Sequence, residues 1–300
     1  MRLLEDVECF DTIVISGGGL RVISYIGELH ELSRRGKVDV ERILNIAGTS
    51  AGSIVALLLA CGMQPIEIYR EVYMDPKLFV VPSGILGNPI ELMKIMDRKG
   101  FMTMDGILQR VERLVVDKLG SVPTFQELYE MRGVELVVKA SNITCAREIR
   151  FSRGTTPDML TTEAIRSSCS IIGLFEPVDH EGDLLLDGAF TNNIPIDAFD
   201  DGKRRILALT AVDEAYNTSK TPMNVGSLIM RAMITSIHTI TRMRCNMCGP
   251  NVTILNMSTN SGSLVDFALT KEMVSELFTD GINNIDLLLR TELINVSMRT

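Results

Sequence analysis

A chain of 300 residues that is 46% hydrophobic holds enough apolar material for one large α/β domain or two small ones. Its net charge of −8, with no basic run longer than Lys203-Arg204-Arg205, excludes nucleic acid as the main partner. Six cysteines scattered at 9, 61, 145, 169, 245 and 248 do not form a disulfide framework.

The first residues, Met-Arg-Leu-Leu-Glu-Asp-Val-Glu, carry acids and no apolar signal region. The longest uninterrupted apolar run, Ile54 to Cys61, falls far short of the ~18 residues that span a bilayer. The expectation is a cytoplasmic protein. Peripheral membrane contact stays open, because apolar insertion needs no positive charge.

Residues 11–16 read as a first strand, followed at once by Gly17-Gly18-Gly19 and by helical spacing from Leu20 to Arg35. A strand, a glycine-rich turn and a helix make an anion cradle from backbone N–H groups. One reading is a dinucleotide site, but Val22 occupies the place of the helix-packing glycine, and no acid follows at the required distance. The other is an oxyanion hole aimed at a substrate carbonyl.

Ile43 to Ala47 reads as a second strand. Gly48-Thr49-Ser50-Ala51-Gly52 follows, and then Ser53 to Cys61, a helix apolar all round and therefore buried. A serine between two glycines at a strand-to-helix turn has the form of a nucleophile elbow. The plainer alternative is a serine capping the helix.

Further along, helices are expected at 64–76, 90–97 and 105–118, with an apolar but Pro- and Gly-broken stretch at 78–88 that either packs on the body or forms a substrate mouth. Thr124-Phe125-Gln126-Glu127 is a capping box. Residues 134–144 and 147–153 read as paired strands, and 162–168 as a short helix.

Leu184-Leu185-Leu186 predicts a buried strand ending at Asp187, with Gly188-Ala189 allowing close approach of another segment. A strand-end carboxylate in an α/β sheet faces the crevice where ligands bind, although Asp-Gly pairs also serve simply as turns. Residues 205–210 form a further strand. The Met-rich segment from about 224 to 244 reads as a core helix, with lipid contact as the sharper alternative. Cys245-Asn246-Met247-Cys248 is an isolated pair of thiols without a metal partner set. A strand at 252–257 and a helix at 270–289 close the chain. No linker interrupts it, so one domain, 1–300 with a core of about 8–290, is expected.

The chain resembles the patatin-like phospholipases. The resemblance is carried by Gly-Gly-Gly-Leu-Arg at 17–21, Gly-Thr-Ser-Ala-Gly-Ser at 48–53, and Asp187-Gly188-Ala189 with the trailing Asn193-Ile194-Pro195. It implies a three-layer α/β/α sandwich around a mostly parallel sheet. It also implies a serine hydrolase whose catalytic pair is Ser50 and Asp187, with backbone N–H groups among Gly17, Gly18, Gly19 and Ala51 as the oxyanion hole. Arg21, Gly48, Gly52, Gly188 and Ala189 would support these motifs.

No metal and no cofactor are implied. The substrate would be a phospholipid or lysophospholipid ester, met through transient membrane-surface contact. An acyltransferase on the same site and a non-catalytic lipid-binding scaffold are the alternatives, and an activating protein is left open. The chain departs from the family pattern at Val22, usually glycine, and at Ile172, usually proline. The three histidines, His30, His180 in an expected turn over 178–182, and His238, fall away from the expected base position and read as structural.

Overall fold

Four consecutive buried residues, Thr12–Ile15, form β1 near the middle of an eight-stranded sheet. In this computed structural model, which describes residues 4, 8–76, 103–211, 225–257 and 269–297, β1 has parallel neighbours on both sides. These are β2 (Asn45–Thr49) and β7 (Ile206–Thr210). The expected 78–88 stretch and the helix at 90–97 lie outside the described residues.

Beyond β2 runs β3 (Glu135–Asn142), and beyond β7 runs β8 (Val252–Asn256), both again parallel. Polarity reverses past β3. There β4 (Arg147–Ser152) and β6 (Asp183–Asp187) pair antiparallel to β3, and β5 (Val178–His180) pairs antiparallel to β6.

Side chains alternate across the sheet, as the two-residue strand period requires. Ile13, Ile15, Ile46, Leu207 and Leu209 enter one large core, while Val14, Ala47, Ile206 and Ala208 enter a smaller one on the opposite face. The large core is covered by α1 (Val22–Arg34), α2 (Ala51–Ala60), α3 (Pro65–Met74), α4 (Asp105–Leu119) and α5 (Phe125–Arg132). Two short helices, α6 (Thr161–Ser168) and α7 (Ala189–Asn192), flank Asp187 in sequence. The smaller core is closed by Ile194, Ile196 and Phe199 and by Cys245 near the end of α8 (Val225–Met247). The last helix, α9 (Lys271–Ser297), lies against α1. The mostly parallel sheet with helices on its faces is as expected.

Local signals held where they were strong. The Thr124 hydroxyl accepts the Glu127 N–H at 3.2 Å, while the Glu127 carboxylate accepts the Thr124 N–H at 2.8 Å, so the capping box forms. In α2, every residue from Gly52 to Ala60 is buried.

Three expectations are corrected. The helix after the glycines begins as a short 3-10 turn, Gly19–Arg21, before α1. Residues 178–180, expected as a turn, form β5, because Val178 and His180 find partners in Leu185 and Asp183. The Met-rich helix α8 is not a core helix. Of its described side chains only His238 and Thr241 are buried, and Met243 and Met247 are 58% and 81% exposed.

One feature of the sheet sets the geometry of the site. Along β3, Glu135 to Lys139 pair with β2, and Ala140 to Asn142 pair with β6. Since β4 occupies the opposite edge of Val137 to Asn142, β2 and β6 share a single edge and meet end to end. Thr49 stands opposite Lys139, and Asp187 opposite Ala140. The residue that leaves β2 next, Ser50, therefore emerges beside Asp187.

Candidate active site

Ser50 caps α2 with φ +53° and ψ −138°. This is a costly backbone for a residue with a side chain, and it persists only where its surroundings hold it. Three hydrogen bonds do so. The Ser50 N–H donates to Ser168 Oγ at 2.8 Å. The Ser50 carbonyl accepts from the Ser53 hydroxyl at 2.6 Å and from the Ser53 N–H at 2.8 Å. The flanking glycines are needed for space: a Cβ on Gly52 would sit 2.4 Å from the Ser16 carbonyl oxygen, and one on Gly48 2.6 Å from Ser53 Cα.

The Ser50 hydroxyl donates to Asp187 Oδ2 at 2.6 Å. The other carboxylate oxygen, Oδ1, accepts the Ala189 N–H at 2.8 Å. Asp187 is 2% exposed. Burial raises its pKa from 3.8 to about 6, against the lowering effect of the Ser50 hydroxyl and the Ala189 N–H. A carboxyl tuned upward in this way is a better proton acceptor from a hydroxyl than a free aspartate, while remaining ionised at neutral pH.

Gly188 lets β6 close onto β3. A Cβ there would lie 2.3 Å from the Lys139 carbonyl oxygen and 2.8 Å from Thr49 Cγ2. We expect Gly188→Ala to push the end of β6 away from Ser50. Kinetics and thermal melting should show a loss of ~10²-fold in kcat/KM, the cost of an ångström-scale misplacement, with ~1–3 kcal/mol lost from the fold.

The glycine-rich loop lies on the other side of Ser50. Gly17 departs from its expected part as an oxyanion donor: its N–H is engaged by the Asn193 carbonyl at 3.1 Å. Its lack of a side chain matters instead, since a Cβ would meet Asn193 Oδ1 at 2.6 Å and Ser50 Cβ at 2.9 Å. The N–H groups of Gly18, Gly19 and Ala51 make no hydrogen bond among the described residues. Arg21 is buried, and its Nη1 donates to the Ala211 carbonyl at 3.2 Å, fastening the loop to the end of β7. Val22 sits at φ −59°, ordinary helix that needs no glycine, with its side chain in the core.

A cavity of about 100 Å³ joins these parts. Gly17, Gly18, Gly19, Ser50, Asp187 and Ala189 line one side, and Ile171, Phe190, Ala211, Met233, Ile234 and Ile237 give it apolar walls. His238 also lines it. The sequence reading treated all three histidines as structural, which fits His30, packed against Phe278, and His180, edge-on to Phe151. His238 instead shares a helix face with Met233, Ile234 and Ile237, and that spacing was the available signal. Asn193 was quoted only as a trailing motif residue. It receives Gly17 and also donates from Nδ2 to Thr241 Oγ1 of α8 at 3.3 Å, joining the loop to the cavity wall. The sequence places Ser168 only at the end of the short helix over 162–168, with no signal that links it to Ser50.

The family model for patatin-like phospholipases matches residues 13–200, a span that contains the glycine loop, the elbow and Asp187. The chain belongs to the patatin-like phospholipases.

Among relatives of this patatin-like chain is the probable lipid hydrolase 463L of Invertebrate iridescent virus 6. It is 30% identical over 189 residues, 63% of this chain and 62% of that protein. Lysophospholipase NTE1 of Candida albicans is 28% identical over 220 residues, 72% of this chain but 14% of that protein. The chain thus spans less than two thirds of the first relative and a small part of the second. In fold it is similar to VipD from Legionella pneumophila, with TM-score 0.53 and 18% identity over 94% of this chain and 67% of that one. No helix among the described residues of this patatin-like chain is long and apolar enough to cross a membrane.

Its isolated thiol pair has no features of a reactive site. Cys248 Sγ donates to the Cys245 carbonyl at 3.0 Å, and burial pushes the Cys245 thiol up to about 11.

Proposed function

We propose that this chain is a calcium-independent lipid acyl hydrolase of the phospholipase A or lysophospholipase type, working with a Ser50-Asp187 dyad. The observation that carries the reading is the 2.6 Å hydrogen bond from Ser50 to a buried carboxylate inside an apolar cavity. Ser50 Oγ attacks the ester carbonyl carbon as its proton passes to Asp187. The oxyanion that forms is held by the N–H groups of Gly18, Gly19 and Ala51, and losing one such donor typically costs ~10²–10³ in rate.

Collapse of this intermediate breaks the bond to the leaving alcohol, which takes the proton from Asp187. Water then attacks the acyl-enzyme and gives its proton to Asp187. The second collapse frees the fatty acid and returns the proton to Ser50. The apolar walls suit an acyl chain, and the reading needs neither metal nor cofactor. A lipid substrate would be met through transient contact with a membrane surface.

The test is release of fatty acid from a panel of phospholipids and lysophospholipids in excess chelator, with labelling by a fluorophosphonate probe. Release in chelator together with labelling of Ser50 is the expected result. Activity that appears only with added calcium would overturn the calcium-independent reading. Absence of both release and labelling would favour a lipid-binding scaffold instead. Adding an alcohol acceptor separates hydrolysis from acyl transfer, since transfer yields a new ester at the expense of free fatty acid.

A further inference from the structure

The segment Ser168 to Ser170, at the end of α6, touches both members of the dyad. Ser168 Oγ accepts the Ser50 N–H at 2.8 Å. The Ser168 carbonyl accepts the Gly188 N–H at 3.2 Å, and the Ser170 carbonyl accepts the Asp187 N–H at 2.9 Å. Ser168 is fully buried, so water cannot replace its hydroxyl at the Ser50 N–H.

The nucleophile stands in an unfavourable backbone conformation at the end of β2, and the base stands at the end of β6. Those two strands abut without pairing with each other, so their separation is fixed by β3, by this segment, and by the Thr49 hydroxyl, which donates to the Asn192 carbonyl at 2.9 Å. Ser53 holds the carbonyl side of Ser50 from within α2. The side-chain hold on its N–H side comes from Ser168.

We propose that Ser168 is a positioning residue for the Ser50-Asp187 dyad: its hydroxyl holds the strained Ser50 peptide, while its own backbone carries the peptide that follows Asp187. The inference rests on the hydrolase reading given above. Ser168 touches neither substrate nor the reacting atoms, and acts by keeping Ser50 Oγ aimed at Asp187 Oδ2.

The experiment compares kcat, KM and the acidic limb of the pH profile for wild type, Ser168→Ala and Ser167→Ala, with a thermal melt of each. Ser167 is the control. It is equally buried and one residue away, but its hydroxyl bonds back onto the Glu163 carbonyl of its own helix. Ser168→Ala should lower kcat ~10- to 100-fold, the range expected when a buried donor at the nucleophile loses its partner, with KM within ~3-fold of wild type. The midpoint of its acidic limb should move upward, because a misaligned Ser50 hydroxyl no longer helps keep Asp187 ionised. Ser167→Ala should keep wild-type kcat and midpoint.

If Ser168→Ala does not fold, Ser168→Cys, nearly the same shape with a weak acceptor, should give the same fall in kcat. The proposal is overturned if the folded variant keeps wild-type kcat and midpoint and merely melts as early as Ser167→Ala. Full activity in Ser50→Ala would instead overturn the serine-hydrolase reading, and full activity in Asp187→Asn would overturn Asp187 as its base. Silence of those two variants beside an intact Ser168→Ala overturns only the positioning role.

Discussion

Ser50→Ala is expected to reduce kcat by ~10⁵–10⁶, and Asp187→Asn by ~10⁴, the scale seen when a covalent nucleophile or its partner acid is removed from a serine hydrolase. The physical reason differs between the two. In the proposed mechanism no acyl-enzyme forms without the Ser50 hydroxyl. With asparagine at 187 the nucleophile remains, but the group that takes its proton is gone, and the 2.6 Å contact from the hydroxyl becomes one between neutral groups.

The two variants should also differ in labelling. A fluorophosphonate cannot label Ser50→Ala, and should label Asp187→Asn slowly. Both folds should survive, since Ser50→Ala removes a single oxygen and Asp187→Asn exchanges a carboxylate for an amide of the same shape. The same dyad predicts the acidic limb of the wild-type profile. Asp187 is active only when ionised, so activity should rise with pH through about 6, where burial has placed its pKa. Full activity at pH 4, or activity retained by Asp187→Asn, would show that another group is the base. His238 on the cavity wall would then be the next residue to replace.

The second large effect concerns stability and lies far from the dyad. Glu28 of α1 is fully buried. Its Oε1 accepts from Asn284 Nδ2 of α9 at 2.5 Å, while Oε2 is buried without a hydrogen-bond partner among the described residues. Burial raises its pKa from 4.5 to about 8, against the lowering effect of the Asn284 hydrogen bond. The folded protein therefore keeps Glu28 protonated up to about pH 8, whereas the unfolded chain releases that proton above pH 4.5.

Between those two values the native state binds more protons than the unfolded state, so stability falls as pH rises. The loss should approach ~1.4 kcal/mol per pH unit inside the window and level off above about 8. Glu28→Gln keeps the shape and the neutral state, and should remove this slope. Denaturation at pH 5 to 9 should find the variant more stable than wild type at pH 8 by on the order of 3 kcal/mol, with the two converging toward pH 5. Parallel curves would mean that Glu28 ionises without cost.

Much of the site was legible because its chemistry depends on short motifs. The elbow needs glycines where Gly48 and Gly52 stand, since Ser53 and Ser16 come within 2.6 and 2.4 Å of where a Cβ would lie. Gly188 was read as a close-approach residue, and it is one. The buried character of α2 followed from a run with no polar face. Errors arose where several elements compete. The family resemblance offered Gly17 among the oxyanion donors, and only the folded chain brings the Asn193 carbonyl to its N–H. The Met-rich helix α8 has the composition of a core element, yet it borders the cavity and exposes Met243 and Met247. Composition states what a side chain tolerates and not which side of a helix finds a neighbour.

By itself, then, the sequence determined the strand-turn-helix units and the family to which its motifs point, and it offered Ser50 and Asp187 as the proposed reactive pair. Each of these depends on residues within a few positions of one another, where backbone sterics and strand or helix period act directly. The tertiary structure alone decided that β2 and β6 meet on one edge of β3, that Ser168 reaches the Ser50 peptide across 118 residues, and that Gly27 and Gly281 let α1 and α9 touch backbone to backbone. These contacts join positions far apart in the chain. They follow from the packing of whole elements, for which no local spacing leaves a mark.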